Sequence, residues 1–226
     1  MVVKSLKGKS SASARWVRRQ WNDHVVHQAK REGLRSRAAI KLRELNDRFQ
    51  LFKRGDTVLD LGAAPGGWTQ VAVEATAPKS RRKQSTQNQV LLPTVVAVDL
   101  QRFSPIEGAA IVVGDFRQAA VRKEVKDALR GREVDVVLSD MAPSFSGVFL
   151  RDSQHQLRLC HNALKMAELY LRQGGNFVTK ILRCEESEAF RKELKTAFDV
   201  VKAVKPPSSR PESTEMFLVA KGFHRA

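Results

Sequence analysis

The chain predicts an α/β domain built on a doubly wound, mostly parallel sheet, and three observations carry that reading. Seven short apolar runs rich in β-branched residues recur along it, helical segments fit between most of them, and a glycine-rich turn joins the first run to the helix after it. The runs are Thr57–Leu61, Thr94–Val98, Ala110–Val113, Val134–Leu138, Phe177–Ile181, Val200–Val204 and Met216–Ala220. Near-continuous hydrophobicity, rather than alternation, marks strands covered on both faces. Ahead of the first run, Asp23 is placed to N-cap a helix that ends at Gly33, and Ser36 to cap a second through Ile40, Leu42 and Leu45. Further helices are predicted over Trp68–Ala75, Ala119–Leu129, Gln154–Leu171 and Glu186–Phe198. The Pro206–Pro211 link between the sixth and seventh runs suits a hairpin better than a crossover, so the last strand is expected to be antiparallel.

Two segments stand outside this alternation. Residues 1–22 form a basic arm with Lys4, Lys7, Lys9, Arg15, Arg18 and Arg19 and no acid before Asp23, interrupted by Trp16 and Trp21; residues 23–226 then make up the folded domain. Residues 78–93, rich in Lys, Arg, Ser and Gln between two prolines, read as an exposed insertion.

Composition narrows the function classes. A chain of 226 residues with 42% apolar residues is long enough for one well-buried domain and argues against disorder. Forty Lys and Arg against 24 Asp and Glu leave +16, which favours a polyanion such as RNA or DNA, since neutralising phosphates releases counterions. No stretch approaches the roughly 20 apolar residues that span a bilayer, so no membrane role is expected. Cys160 and Cys184 make no CxxC pair and read as reduced, buried thiols. The pairs His24/His27 and His155/His161 lack the accompanying Cys or acid set of a zinc site, and no metal is expected.

The strongest local motif is Asp60-Leu61-Gly62-Ala63-Ala64-Pro65-Gly66-Gly67-Trp68, at the first strand-to-helix turn. Glycines there let a ligand approach the backbone, and the helix N-terminus offers unpaired N–H donors. The spacing departs from GxGxxG and no P-loop lysine follows, which disfavours a nicotinamide-dependent dehydrogenase and a triphosphate site. Asp99 ends the second strand, where a carboxylate can accept both hydroxyls of a ribose. Asp115 follows Gly114 after the third, positioned to meet an adenine amino group. A nucleoside without phosphate across three strand ends satisfies these features, and S-adenosylmethionine is one. Gly62, Pro65, Gly66, Gly67, Trp68, Asp99, Asp115 and Asp140 are the candidate cofactor contacts. Trp68 and Phe145 are read as packing residues ahead of base-stacking platforms.

Ser11–Trp16, Leu34-Arg35-Ser36-Arg37-Ala38, Asp60–Trp68, Ser139-Asp140-Met141-Ala142-Pro143 and Ser208-Ser209-Arg210 together resemble the FtsJ-type ribosomal RNA 2′-O-methyltransferases from about Ser11 onward. The resemblance implies a Rossmann-like methyltransferase fold with seven strands, the last antiparallel. It also implies a Lys-Asp-Lys-Glu catalytic set, which falls on Lys41, Asp140, Lys180 and Glu215. The implied substrate is large-subunit ribosomal RNA in a precursor particle, with a uridine of the peptidyl-transferase region as target and the enzyme monomeric outside the particle. Three departures stand out: Ser144-Phe145 where the family usually has Asn after the proline, Ile181-Leu182-Arg183-Cys184 in place of a glycine-containing stretch, and the longer 78–93 segment.

The chemistry divides among the four residues. A ribose 2′-hydroxyl is a poor nucleophile while protonated, so attack on a sulfonium methyl benefits from a positioned base, and Lys180 is the candidate. Burial and a second cation favour a neutral lysine, and Lys41 is expected to be that cation. Asp140 would orient Lys180 and help place the methyl donor, and Glu215 would hold a lysine or the target ribose. An assembly factor that acts mainly by binding RNA is the alternative from another class. The basic start and the insertion suggest a mitochondrial protein, with a bacterial cytoplasmic enzyme as runner-up.

Overall fold

The computed structural model describes residues 23–78 and 93–225; the basic arm and nearly all of the 78–93 insertion lie outside them. In chain order the elements are α1 (His24–Arg31), α2 (Ala38–Phe49), β1 (Val58–Leu61), α3 (Gly67–Thr76), β2 (Val95–Asp99), β3 (Ala109–Val113), α4 (Ala119–Leu129), β4 (Val134–Ser139), α5 (Phe149–Tyr170), β5 (Leu171–Leu182), α6 (Glu185–Ala197), β6 (Phe198–Val204) and β7 (Glu215–Phe223). The strands form one seven-stranded sheet in the order β3-β2-β1-β4-β5-β7-β6. Every pair from β3 to β5 is parallel, and β7 runs antiparallel to both β5 and β6. The fold class and the reversed last strand are as the sequence predicts.

Each face of the sheet carries its own apolar layer. Leu59, Leu61, Val96, Val98 and Val137 pack with Val125 and Leu129 of α4, Cys160 and Ala163 of α5 and Phe190 and Leu194 of α6. Val58, Val95, Val136, Leu138, Val178 and Val219 pack on the other side with Val25 of α1, Leu42 and Leu45 of α2 and Trp68 and Val71 of α3. Adjacent residues of β1 and β4 therefore serve opposite layers, which is why these strands read as continuous apolar runs.

The helix starts and one strand differ from expectation. Asp23 caps α1 as predicted, its Oδ1 accepting from the amides of Val25 and Val26. Ser36 does not cap α2, whose N-cap position is Arg37 without a side-chain bond. The Ser36 hydroxyl is instead buried against Gly67, where any larger residue would collide with it, so the serine serves close packing between α2 and α3. α5 begins at Phe149, five residues early, and β5 at Leu171, six residues early. Gly174, at φ +76°, and a register irregularity against β4 between Val134 and Val136 interrupt the start of β5 and hide it from a hydrophobicity pattern.

Candidate active site

The carboxyl ends of β4 and β5 and the start of β7 meet at one rim of the sheet. β5 and β7 pair with Leu182 opposite Glu215 and Lys180 opposite Phe217, so Lys180 and Glu215 are diagonal neighbours on one face. Asp140 follows β4 directly. Lys180 is buried, its Nζ donating to the Asp140 carbonyl at 2.8 Å and standing 3.1 Å from Asp140 Oδ1 and 3.9 Å from Glu215 Oε1. Lys41 comes from α2, outside the sheet, and its Nζ donates to Glu215 Oε2 at 3.2 Å. All four residues named from the sequence are thus in one connected cluster.

Its internal order differs from the expected one. Lys41 does not stand against Lys180 as a bare second cation; Glu215 lies between them, one oxygen toward each. Burial works against the ionised form of Glu215, but Lys180 and Lys41 outweigh it and hold the carboxyl below the usual range. Lys41 reaches the rim because α1, α2 and the β6–β7 hairpin are clasped. Asp23 pairs with Arg37 and Arg210, the Arg37 guanidinium donates to the Ser208 carbonyl at 2.6 Å, and Glu44 accepts from the amide and hydroxyl of Ser208. Beneath Lys41 lies Phe217, 5.5 Å from Nζ to the ring centroid, and Trp68 packs on that ring in turn.

A cavity of about 630 Å³ opens beside the cluster, lined among others by Gly62, Pro65, Asp99, Asp115 and Asp140. Its volume is in the range of small-molecule sites. Gly62, at φ +74°, lies so close to Met141 that a Cβ would overlap that side chain, so the turn needs glycine both for its conformation and for the space. Asp99 is fixed by the amides of Ala64 and Gln101. Both oxygens of Asp115 accept from Arg117, which holds its carboxyl below the usual range. Gly66, Gly67 and Trp68 do not line the cavity. The Trp68 indole is buried and donates to the Ala38 carbonyl at 2.8 Å, so its side chain belongs to the core. Val98, Leu100, Phe103, Phe116 and Met141 add apolar wall to these carboxylates. Acceptors for hydroxyl and amino groups over apolar walls, beside a strand-end turn that lacks GxGxxG spacing and a P-loop lysine, fit an S-adenosylmethionine.

Two buried groups were not singled out from the sequence as site residues. Asp60 is fully buried on β1; Thr69 donates to its Oδ2 at 2.6 Å, while Oδ1 has no protein partner. Burial pushes its carboxyl up to about 7, reinforced by the nearby charges of Asp140 and Asp99. Gln156 of α5, also buried, donates from Nε2 to the Lys180 carbonyl at 2.8 Å and the Met141 carbonyl at 3.2 Å, joining the ends of β4 and β5. An uncharged glutamine inside a helical pattern gives no local signal of this. Cys160, buried as expected, reaches the same Lys180 carbonyl with its thiol, pushed up to about 11 by burial; Cys184 is only half-buried.

The FtsJ-like methyltransferase family model matches residues 34–223. The chain belongs to the FtsJ-like methyltransferase family. It is 45% identical over 221 residues to the ribosomal RNA large subunit methyltransferase E of Anaplasma phagocytophilum, covering 98% of this chain and 85% of that one. The enzymes of the same name from Gluconobacter oxydans and Stutzerimonas stutzeri are 41% and 39% identical, over 98% and 95% of this chain and 76% and 98% of theirs. Among solved structures, a ribosomal RNA methyltransferase from Plasmodium falciparum superposes with a TM-score of 0.70 at 25% identity, over 85% of this chain and all of that one. The fibrillarin/Nop5p complex shares the fold alone, with a TM-score of 0.51 at 18% identity over 81% of each chain. The protein is a methyltransferase, and its methyl donor is S-adenosylmethionine.

Proposed function

We propose that this protein methylates a ribose 2′-hydroxyl of large-subunit ribosomal RNA within a precursor particle, the target being a uridine of the peptidyl-transferase region. The observation that carries the reading is the position of Asp140, which both lines the donor cavity and stands 3.1 Å from Lys180 inside the Lys41–Glu215–Lys180 cluster. The relatives' names support the substrate, and the net charge of +16 suits an RNA partner.

Bound S-adenosylmethionine supplies a methyl group on a sulfonium, activated for displacement. The residues of this chain do the rest. Asp99 and Asp115 hold the nucleoside half in the cavity, and Asp140 fixes the reacting end at the mouth. The Lys180 amine accepts the 2′-hydroxyl proton while the O–C bond forms and the C–S bond breaks. Asp140 and Glu215 then stabilise the resulting ammonium. Lys41 keeps Glu215 ionised and directed at Lys180, and the clasp through Asp23, Arg37 and Arg210 keeps Lys41 in place. Alignment of hydroxyl, methyl and sulfur contributes the remainder of the acceleration. The relatives' bacterial sources support a bacterial interior over the mitochondrial location suggested by the basic start.

The test is methyl transfer from labelled S-adenosylmethionine to undermethylated large-subunit precursors, with ribose methylation mapped by nucleotide. Wild type should modify one uridine, and Lys180→Ala should lose about 10³-fold in rate while binding S-adenosylhomocysteine as before. An inactive wild type that still binds the particle would overturn the enzymatic reading in favour of an assembly factor.

A further inference from the structure

The loop after the Asp140 motif carries an apolar surface that neither the catalytic cluster nor the donor cavity uses. Phe145, Val148, Phe149 and Leu150, four large apolar side chains within six residues, are 58%, 59%, 50% and 60% exposed. Such clustering on a chain of this charge is unusual, since exposed apolar residues normally scatter singly. The loop is also held rigidly. Asp152, buried in the first turn of α5, accepts from the Ser146 amide and hydroxyl and from the Gly147 amide, which fixes the backbone between Phe145 and Phe149.

Its location decides what it faces. Ser144 lines the donor cavity, and Phe145 is the next residue, one Cα–Cα step of about 3.8 Å away. A ribose seated at Lys180 brings its neighbouring nucleotides over the rim of that cavity. Arg151, the residue after Leu150, and Arg158, two turns on along α5, are both exposed and carry charge complementary to a phosphate backbone. An exposed aromatic beside cations is the combination that binds unpaired nucleotides, the base stacking on the ring while the phosphates meet the arginines.

We propose that the Phe145–Leu150 loop is a stacking platform for an unpaired base next to the methylated nucleotide, with Phe145 as the principal ring. This rests on the RNA-methylating reading of the site and specifies how the RNA is held. The platform separates the two aromatic residues that the sequence left alike, for Trp68 is core and Phe145 is surface.

The experiment compares wild type, Phe145→Ala, Phe145→Trp and Phe149→Ser on precursor particles and on the isolated RNA segment containing the target. Phe145→Ala should raise KM for RNA about tenfold with kcat at saturation and S-adenosylhomocysteine binding unchanged, and Phe145→Trp should restore KM. The salt dependence of RNA binding should keep its slope in Phe145→Ala, whereas Arg151→Ala should make it shallower. Phe145 and Phe149 variants that match wild type in KM for RNA, with wild type active, would overturn the platform and leave the catalytic reading standing. Wild-type self-association at micromolar concentration that Phe149→Ser abolishes would also overturn it, assigning the surface to a second copy of the chain. Wild type inactive on every RNA would instead sink the reading on which the platform rests.

Discussion

The two halves of the strand-end rim handle charge in opposite ways. On the β4–β5–β7 side, Asp140 and Glu215 are each set against a lysine, and Lys41 and Lys180 share Glu215 between them. On the β1–β2 side, Asp60 and Asp99 face no cation at ion-pair distance among the described residues, and the buried Asp60 is held near neutrality by desolvation. One half is a balanced network in which two lysines and two carboxylates hold one another. In the other, Asp99 accepts only from backbone amides and Asp60 Oδ1 has no protein partner. The difference teaches that the groups proposed to be catalytic are preorganised by each other, while the carboxylates proposed to hold the donor are fixed by the backbone.

The largest effect that would sharpen this contrast is on stability. Asp60 binds a proton in the folded chain up to about pH 7 but only up to about pH 4 when unfolded, so the unfolded state holds fewer protons between those values. Stability should therefore fall as pH rises from about 4 to about 7, by as much as ~4 kcal/mol from this group, and be flat above. Asp60→Asn keeps an acceptor for Thr69 and should remove that slope. Urea midpoints of both proteins across pH 4–8 measure it, and parallel curves would mean Asp60 is not the buried acid described.

Next in size is the donor socket itself. Asp99→Asn should weaken S-adenosylhomocysteine binding about thirtyfold in calorimetry, because charge-assisted hydrogen bonds to a ribose are lost, while kcat at saturating donor changes little. A fall in kcat with unchanged affinity would place Asp99 on the catalytic side of the division.

The smallest effect concerns the tie between the strand ends. Gln156→Leu removes the Nε2 bonds to the carbonyls of Lys180 and Met141. We expect about a tenfold lower kcat, donor binding within twofold of wild type and partial recovery in Gln156→His, since slight misplacement of a base is costly. Equal loss in all three measurements, with no recovery, would mean that Gln156 acts only through folding.

What could be read from the sequence follows from how local each signal is. The seven strands and the Asp60–Trp68 turn are written in consecutive residues, and so were legible. Asp140, Lys180 and Glu215 needed only strand direction to reach one rim. Lys41 needed more, because its position depends on Asp23, Arg37, Glu44, Ser208 and Arg210, drawn from both ends of the described chain. No window of sequence contains that clasp, and only the resemblance to other methyltransferases supplied the residue. Ser36 misled for a related reason: it has the chemistry of a cap, but Gly67 brings α3 against it and excludes that use. The early start of β5 was masked by Gly174 and Gly175, which lie within the strand without its composition, Gly174 at a positive φ.

The seating of β7 between β5 and β6 has a consequence for biosynthesis. A ribosome delivers β5 and β6 first, and they must wait as unjoined edges until the strand that belongs between them emerges. Glu215 opens that strand, and the Ser208 side of the clasp arrives only just before it. A nascent chain can therefore complete the Gly62–Gly67 turn early and still lack the Lys41–Glu215 contact. The sheet and the cluster close together, late, when the C-terminal hairpin forms.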